Sequence, residues 1–140
     1  MLLPDINVWL AMAFDGHAHH SAARTWFDSL SEQPCFFCRI TQQGFLRLAT
    51  NQKVFGSNTL TMFAAWQAFD VLMSDERVRF ADEPLNIESF WRAETQRQSF
   101  STNVWSDAFL AGFAQAADLT LVTFDKGFSQ YKDLRCQILL

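Results

Sequence analysis

The 140-residue chain is 49 % apolar and 19 % charged, a composition typical of a folded domain and not of a disordered chain. No apolar run approaches the roughly 20 residues that a membrane span needs, and the amino terminus lacks the basic segment of a signal peptide. We therefore expect one domain over residues 1–140, located in the cytoplasm and not in a membrane. The net charge of −4 excludes little, because nucleic-acid binding requires only a local basic rim.

The first predicted element is a strand in the apolar run of residues 2–9, which contains one carboxylate, Asp5, and one amide, Asn7. A continuous apolar run in an α/β chain is typical of a central strand that is buried on both faces. A buried carboxylate without a partner is costly, so it must be protonated, hydrogen-bonded or bound to a metal. We expect the partners of Asp5 to come from later segments of the chain.

The rest of the chain alternates predicted helices and strands. Further strands are predicted at residues 34–38, 77–80, 119–123 and 135–140. Helices are predicted to begin near Ser21, at Thr41, at Thr59, at Pro84 and near Asn103. This alternation predicts an α/β fold, a three-layer α/β/α sandwich with a central, mostly parallel sheet of four to five strands.

Fifteen Phe and five Trp are a high aromatic load for this length, and some of these rings are expected to cover a partner-binding surface. The helix after Thr59 carries apolar residues at helical spacing, and this stripe is interpreted as core. Its members are Met62, Phe63, Trp66, Phe69 and Leu72.

Two other patterns have a metal or redox interpretation, which we consider weaker than a structural one. His17, His19 and His20 are interpreted as the start of a helix, because no second His or Cys cluster completes a metal site. Cys35 and Cys38 form a C-x-x-C pattern, but the two Phe residues between them favour a buried strand over a redox turn.

Three carboxylates lie where this architecture brings segments together. Asp5 ends the first strand, Asp107 lies near the start of a long helix, and Asp125 follows the fourth strand. Acids that converge without basic partners raise one another's pKa, and a hard divalent cation relieves their repulsion. Such a site suits phosphodiester hydrolysis. Helix-start and turn roles for Asp107 and Asp125 are the alternative.

Three segments carry a resemblance to a known family: DINVWL from residue 5, WSDAFLA from residue 105 and LVTFDKGF from residue 121. In this order they resemble the signature segments of PIN-domain ribonucleases, in particular the VapC-type toxins of toxin–antitoxin systems. The resemblance implies a parallel sheet between helices and a Mg²⁺- or Mn²⁺-dependent endoribonuclease site. It implies catalytic and metal-binding roles for Asp5, Asp107 and Asp125, with hydrogen-bonding roles beside them for Asn7, Ser106 and Thr123.

The sequence departs from the family pattern at one position. The family usually has a Glu in the helix after the second strand, where this chain has Gly44, with the uncharged Gln43 beside it. A glycine inside a helix costs roughly 1 kcal/mol relative to alanine, so it is expected to permit close packing or the approach of a ligand. This departure leaves three acids in the expected site. The sequence does not distinguish between one bound metal ion and two.

Several basic and aromatic residues are candidates for RNA contact. The candidates for a phosphate-binding rim are Arg39, Arg47, Lys53 and Lys126. Trp105 and Phe124 are interpreted as core residues, and stacking on RNA bases is the alternative.

The leading hypothesis is a metal-dependent endoribonuclease toxin that cleaves structured RNA such as tRNA or rRNA. We expect it to form a homodimer and to be inhibited by a cognate antitoxin protein. A catalytically weakened domain that binds RNA or an antitoxin without cleavage is the alternative. A phosphotransferring hydrolase with Asp5 as nucleophile is a third hypothesis, disfavoured because Asn7 replaces the second acid of the expected D-x-D pattern.

Overall fold

The computed structural model describes all residues from 1 to 140 and has one sheet of five parallel strands. The strands are β1 (Leu2–Pro4), β2 (Cys35–Phe37), β3 (Val78–Phe80), β4 (Thr120–Thr123) and β5 (Cys136–Ile138). The helices are α1 (Ile6–Ala13), α2 (His20–Asp28), α3 (Arg39–Ala49), α4 (Gln52–Phe55), α5 (Met62–Met73), α6 (Ile87–Thr95) and α7 (Val104–Ala116). Two 3-10 helices cover Gly56–Asn58 and Lys126–Gln130.

Two apolar cores lie on opposite faces of this sheet. Leu2 and Val122 point into the larger core, which is filled by α1, α2, α3 and α5. Leu3 and Leu121 point to the other face, where α6 and α7 pack. Because successive strand residues face opposite sides, short strands serve both cores. The predicted three-layer α/β/α architecture is thereby confirmed.

The strand order β3-β2-β1-β4-β5 places the first strand at the centre of the sheet. From β1 the chain winds to β2 and β3 on one side, and later adds β4 and β5 on the other. Leu2, Leu3 and Pro4 of β1 pair with Thr120, Leu121 and Val122 of β4. The boundary between β1 and β4 is therefore the switch point of the topology, where parallel α/β sheets open a crevice at the carboxyl ends of their strands.

The predicted strand over residues 2–9 is wrong beyond Pro4. Asp5 caps α1, which begins at Ile6, and five of the eight α1 residues are buried. A helix that is apolar on nearly every side has no clear amphipathic period, so its sequence is indistinguishable from that of a buried strand.

Other element boundaries differ from the predictions by a few residues. Thr41 is the third residue of α3 and not its cap, because its hydroxyl accepts a hydrogen bond from the amide of Cys38, at 2.9 Å. Thr61, not Thr59, caps α5 by accepting from the amide of Ala64. The helix expected at Pro84 begins at Ile87, and the short helix α4 was not predicted.

The interpretation of the α5 stripe as core is wrong for its first half. Phe69 and Leu72 are buried, whereas Met62, Phe63 and Trp66 are 78 %, 73 % and 49 % exposed. Apolar residues surround α5 on most sides, so the sequence did not define which of them face the interior. An apolar surface remains on this helix.

No helix combines the length and the apolar character required to cross a bilayer, the longest having 13 residues.

Candidate active site

Asp5 lies at the switch point, where β1 ends and α1 begins. Its Oδ1 accepts a hydrogen bond from the amide of Ile6, at 2.6 Å, and its Oδ2 accepts one from the hydroxyl of Thr123, at 2.9 Å. The Asp5 amide donates to the carbonyl of Val122, which fixes the backbone against β4. The side chain is nearly buried, with 9 % exposure, and its orientation is set by both strands.

Thr123 connects two of the predicted acids. Besides donating to Asp5, its fully buried hydroxyl oxygen accepts a hydrogen bond from the amide of Asp125, at 3.0 Å. One hydroxyl therefore orients the Asp5 carboxylate and fixes the backbone of Asp125. Thr123 thus lies beside the acids and hydrogen-bonds with two of them, as expected.

We expect Thr123→Val to lower the free energy of unfolding by about 1–3 kcal/mol, because it leaves a buried carboxylate oxygen and a backbone amide without partners. It removes the hydrogen bond that lowers the pKa of Asp5, so that pKa should rise. Urea unfolding and NMR titration of Asp5 measure the two effects. Thr123→Ser keeps the hydroxyl and is the control. Equal stability and an equal Asp5 pKa in the Thr123→Val and Thr123→Ser variants would contradict the role of the hydroxyl.

Asp107 faces Asp5 across a cleft of about 310 Å³. It lies in the first turn of α7 and is half-buried. The other lining residues come from α1, α3 and α7: Ile6, Ile40, Thr41, Gln43, Gly44, Arg47, Ser106 and Leu110. Ile40 and Leu110 were not predicted, although each lies three residues along its helix from a predicted site residue, on the same face.

Asp125 lies beside this cleft but does not line it. Its Oδ1 accepts a hydrogen bond from the amide of Gly127, at 2.8 Å, and thereby caps the 3-10 helix Lys126–Gln130. The structure has no group of three or more His, Cys, Asp or Glu side chains that could hold one metal ion. The expectation that three carboxyl groups converge within reach of one ion is thus not met, because Asp125 is turned towards its own helix cap.

The acids nevertheless influence one another. Burial raises the pKa of Asp5 from 3.8 to about 6, against the lowering effect of its hydrogen bonds from Thr123 and Ile6, and the charges of Asp107 and Asp125 raise it further. The pKa of Asp107 is also raised, by burial first and by the charge of Asp125 second. None of the three carboxylates forms a salt bridge. The crevice therefore concentrates negative charge, and the one cation that lines the cleft, Arg47, forms no salt bridge with these acids.

This donor set fits a hydrated Mg²⁺ or Mn²⁺ ion. Mg²⁺ prefers oxygen ligands, retains several waters and is commonly bound by only one or two carboxylates. Asp5 and Asp107 face one cleft and would supply such a pair. The hydroxyl of Ser106 and the amide of Gln43 add neutral oxygen atoms to the lining.

Gly44 is explained by close packing between α1 and α3. A Cβ at this position would overlap Cδ1 of Ile6 and lie 2.8 Å from its Cγ1. The Ile6 side chain thus fills the space that a longer side chain at position 44 would need. The structure shows the expected close packing at this glycine, and Gly44 also lines the cleft.

The remaining candidates divide into those at the cleft and those outside it. Arg47, Gln43 and Ser106 line it. Asn7 is exposed on α1, and Lys126 is exposed beside Asp125, and neither lines the cleft.

The two aromatic candidates are not fully buried. Trp105 is 54 % exposed, so its assignment to the core is wrong. Phe124 is half-buried and its ring stacks on that of His19 with 4.3 Å between centroids.

Comparison with known proteins agrees with this architecture. The family model of the PIN domain matches residues 2–134, and the chain belongs to the PIN-domain family. It is 44 % identical to Ribonuclease VapC41 of Mycobacterium tuberculosis H37Rv, over 99 % of both chains. It is 31 % identical to Ribonuclease VapC38 of the same strain, over 91 % of this chain and 86 % of the relative.

Solved structures share the fold at low sequence identity. VapBC2 from Rickettsia felis, crystallised with a DNA fragment from its promoter, superposes with a TM-score of 0.75 at 14 % identity, over 99 % of this chain and 98 % of that one. VapC20 of Mycobacterium tuberculosis, described as a toxin that cleaves the sarcin–ricin loop, gives 0.66 at 16 % identity, over 94 % and 95 %.

Proposed function

We propose that this chain is a metal-dependent endoribonuclease of the VapC type, the toxin of a toxin–antitoxin pair in the cytoplasm, with structured RNA such as tRNA or rRNA as substrate. The observation that carries the proposal is Asp5, a nearly buried carboxylate with a raised pKa, facing Asp107 without any basic partner. The relatives named ribonucleases support the same reaction. We further propose that residues 1–140 act as a single domain.

Each acid has a distinct task in this proposal. Asp5 and Asp107 hold Mg²⁺ or Mn²⁺, and Asp125 orients the attacking water. The bound ion supplies Lewis-acid activation of that water and stabilisation of the charge that develops on the scissile phosphate. Thr123 keeps the Asp5 carboxylate in position through its hydrogen bond. No His lines the cleft, so the proposal assigns no role to an imidazole base.

Arg47 is placed to contact the RNA phosphates. Its exposed side chain lines the cleft and forms no salt bridge within the chain. A cation at the edge of an acidic cleft attracts a polyanion to the point where the acids carry the reaction. Lys126 beside Asp125 is a second cation on that side.

We expect Arg47→Ala to weaken RNA binding several-fold and to reduce the slope of log affinity against log salt by about one. Fluorescence anisotropy in EDTA, with a labelled RNA at several salt concentrations, measures both. Lys53→Ala removes the same charge from α4, outside the cleft, and is the control. Equal loss in both variants would contradict a specific contact by Arg47.

The exposed apolar surface supports the proposed protein partners. Met62, Phe63 and Trp66 of α5 are open to solvent. A groove of about 640 Å³ lies between α1, α4 and α5, and Ala64 and Ala68 are the α5 residues that line it. We expect an apolar segment of the cognate antitoxin to occupy this groove, and the chain to form a homodimer. Crystals of related folds that contain VapBC pairs are consistent with an antitoxin partner.

The proposed reaction is tested with purified protein and a bulk tRNA and rRNA preparation, with Mg²⁺, with Mn²⁺ and with EDTA. Discrete fragments that require metal and disappear in Asp107→Asn are the expected result. Asp70→Asn removes an exposed carboxylate from α5 and should leave cleavage unchanged. RNA that binds but is never cut would favour the alternative function, a domain that binds RNA without cleavage.

A further inference from the structure

A second pocket adjoins the acidic cleft. Its volume is about 440 Å³, within the range of small-ligand sites. It shares Ile40 and Gln43 of α3 with the cleft, so the first turns of α3 form the boundary between the two. The other lining residues are Arg39, Phe80, Ala81, Asp82, Glu83, Phe109 and Phe113.

The walls of this pocket are aromatic and held in place. The guanidinium of Arg39 lies over the ring of Phe80, 4.8 Å from its centroid, and donates a hydrogen bond to Gln42. Phe109 packs edge-on against Trp91, with 5.1 Å between ring centroids. Aromatic rings and guanidinium planes are the surfaces on which proteins stack unpaired RNA bases.

The rim of the pocket is acidic. Asp82 and Glu83 are exposed and take part in no salt bridge. Two free carboxylates repel a phosphate but accept hydrogen bonds from a base that presents N–H groups. The Watson–Crick edge of guanine presents N1–H and the N2 amine side by side, a pair that one carboxylate can accept together. Adenine and uracil lack this pair of adjacent donors.

We propose that this pocket is a base-binding subsite for an unpaired guanine next to the scissile phosphate. The inference rests on the proposed ribonuclease function, since it assigns part of the substrate to a surface continuous with the acidic cleft. The ring stacks on the Arg39 guanidinium, which itself lies over Phe80, and packs against Phe109, and Asp82 or Glu83 accepts from its Watson–Crick edge. The subsite thereby selects the nucleotide beside the cleaved bond.

The test uses fluorescein-labelled hexaribonucleotides of uridine with one central guanosine, inosine, adenosine or uridine. Affinity is measured by anisotropy in EDTA, so that binding is separated from cleavage. We expect the guanosine hexamer to bind roughly tenfold more tightly than the adenosine and uridine hexamers, as a bidentate base contact provides. The inosine hexamer, which lacks the N2 amine, should bind with intermediate affinity.

Asp82→Asn combined with Glu83→Gln should abolish the guanine preference and keep the binding of the uridine hexamer. Asp70→Asn combined with Glu76→Gln removes the same charge from exposed positions elsewhere and should keep the preference. Equal affinity of all hexamers, or a preference that survives the Asp82 and Glu83 changes, would overturn the subsite. Metal-dependent RNA cleavage by a protein without base preference would overturn the subsite alone, and a preference without cleavage would overturn the nuclease alone.

Discussion

Asp5→Asn should reduce RNA cleavage by about a thousandfold or more, since several kcal/mol of charge stabilisation by the metal ion depend on this carboxylate. The asparagine has the same shape, and its side-chain oxygen can still accept from the amide of Ile6. Thr123 can accept from the new amide in place of donating to a carboxylate. We therefore expect a folded protein that has lost activity, seen as intact RNA on a gel and a native circular dichroism spectrum.

The same variant should be more stable than the parent protein in EDTA at neutral pH. The pKa of Asp5 is raised from 3.8 to about 6, so the folded state holds its proton more tightly than the unfolded state. The free energy of unfolding of the parent should consequently fall as pH rises from about 4 to 6, by roughly 2–3 kcal/mol, and then level off. Asp5→Asn removes this decrease. A variant that is less stable than the parent at every pH would contradict the conclusion that the buried, charged Asp5 carboxylate destabilises the folded protein.

Gly44→Glu should destabilise the protein, although it introduces the acid that the family usually has. Its Cβ would overlap Ile6, and forced overpacking of this kind costs about 1–3 kcal/mol. A fourth carboxylate beside Asp5 and Asp107 adds repulsion. Gly44→Ala separates the two effects, because it brings the overlap without the charge. Urea unfolding in EDTA measures the loss.

Ile6→Ala combined with Gly44→Glu should recover stability relative to the sum of the single changes, by about 0.5–3 kcal/mol of coupling. Truncation of Ile6 opens the space in which the new carboxylate faces the cleft. Manganese should then stabilise the double variant more than the parent, since a further acid ligand raises affinity. Additive single effects, or no gain from manganese, would contradict the view that Ile6 and Gly44 replace a fourth acid.

The layer architecture was predictable because strands and helices alternate along the chain, and parallel sheets follow from that alternation. The position of Asp107 was also predictable, since a helix predicted to begin near Asn103 places the acid in its first turn, and α7 begins at Val104. These features depend on residue patterns within single segments of the chain and not on contacts between distant residues.

Other features depend on contacts that a local pattern does not contain. The beginning of α1 was missed because its residues are apolar on nearly all sides. The orientation of Asp125 depends on an amide two residues later, and the role of Gly44 depends on Ile6, 38 positions earlier in the chain. Met62 and Phe63 are exposed because the rest of the protein covers only part of the surface of α5.

We propose that a divalent ion binds between Asp5 and Asp107. NMR spectra of the isotopically labelled protein during titration with Mn²⁺ test it directly, because the paramagnetic ion broadens signals of nearby nuclei. We predict that the amides of Asp5, Ile6, Ser106 and Asp107 broaden first, and that Asp5→Asn suppresses the effect. If the amide signals of residues 17–20, around the histidines, broaden first and those of Asp5 and Asp107 are unaffected, the ion does not bind between the two acids.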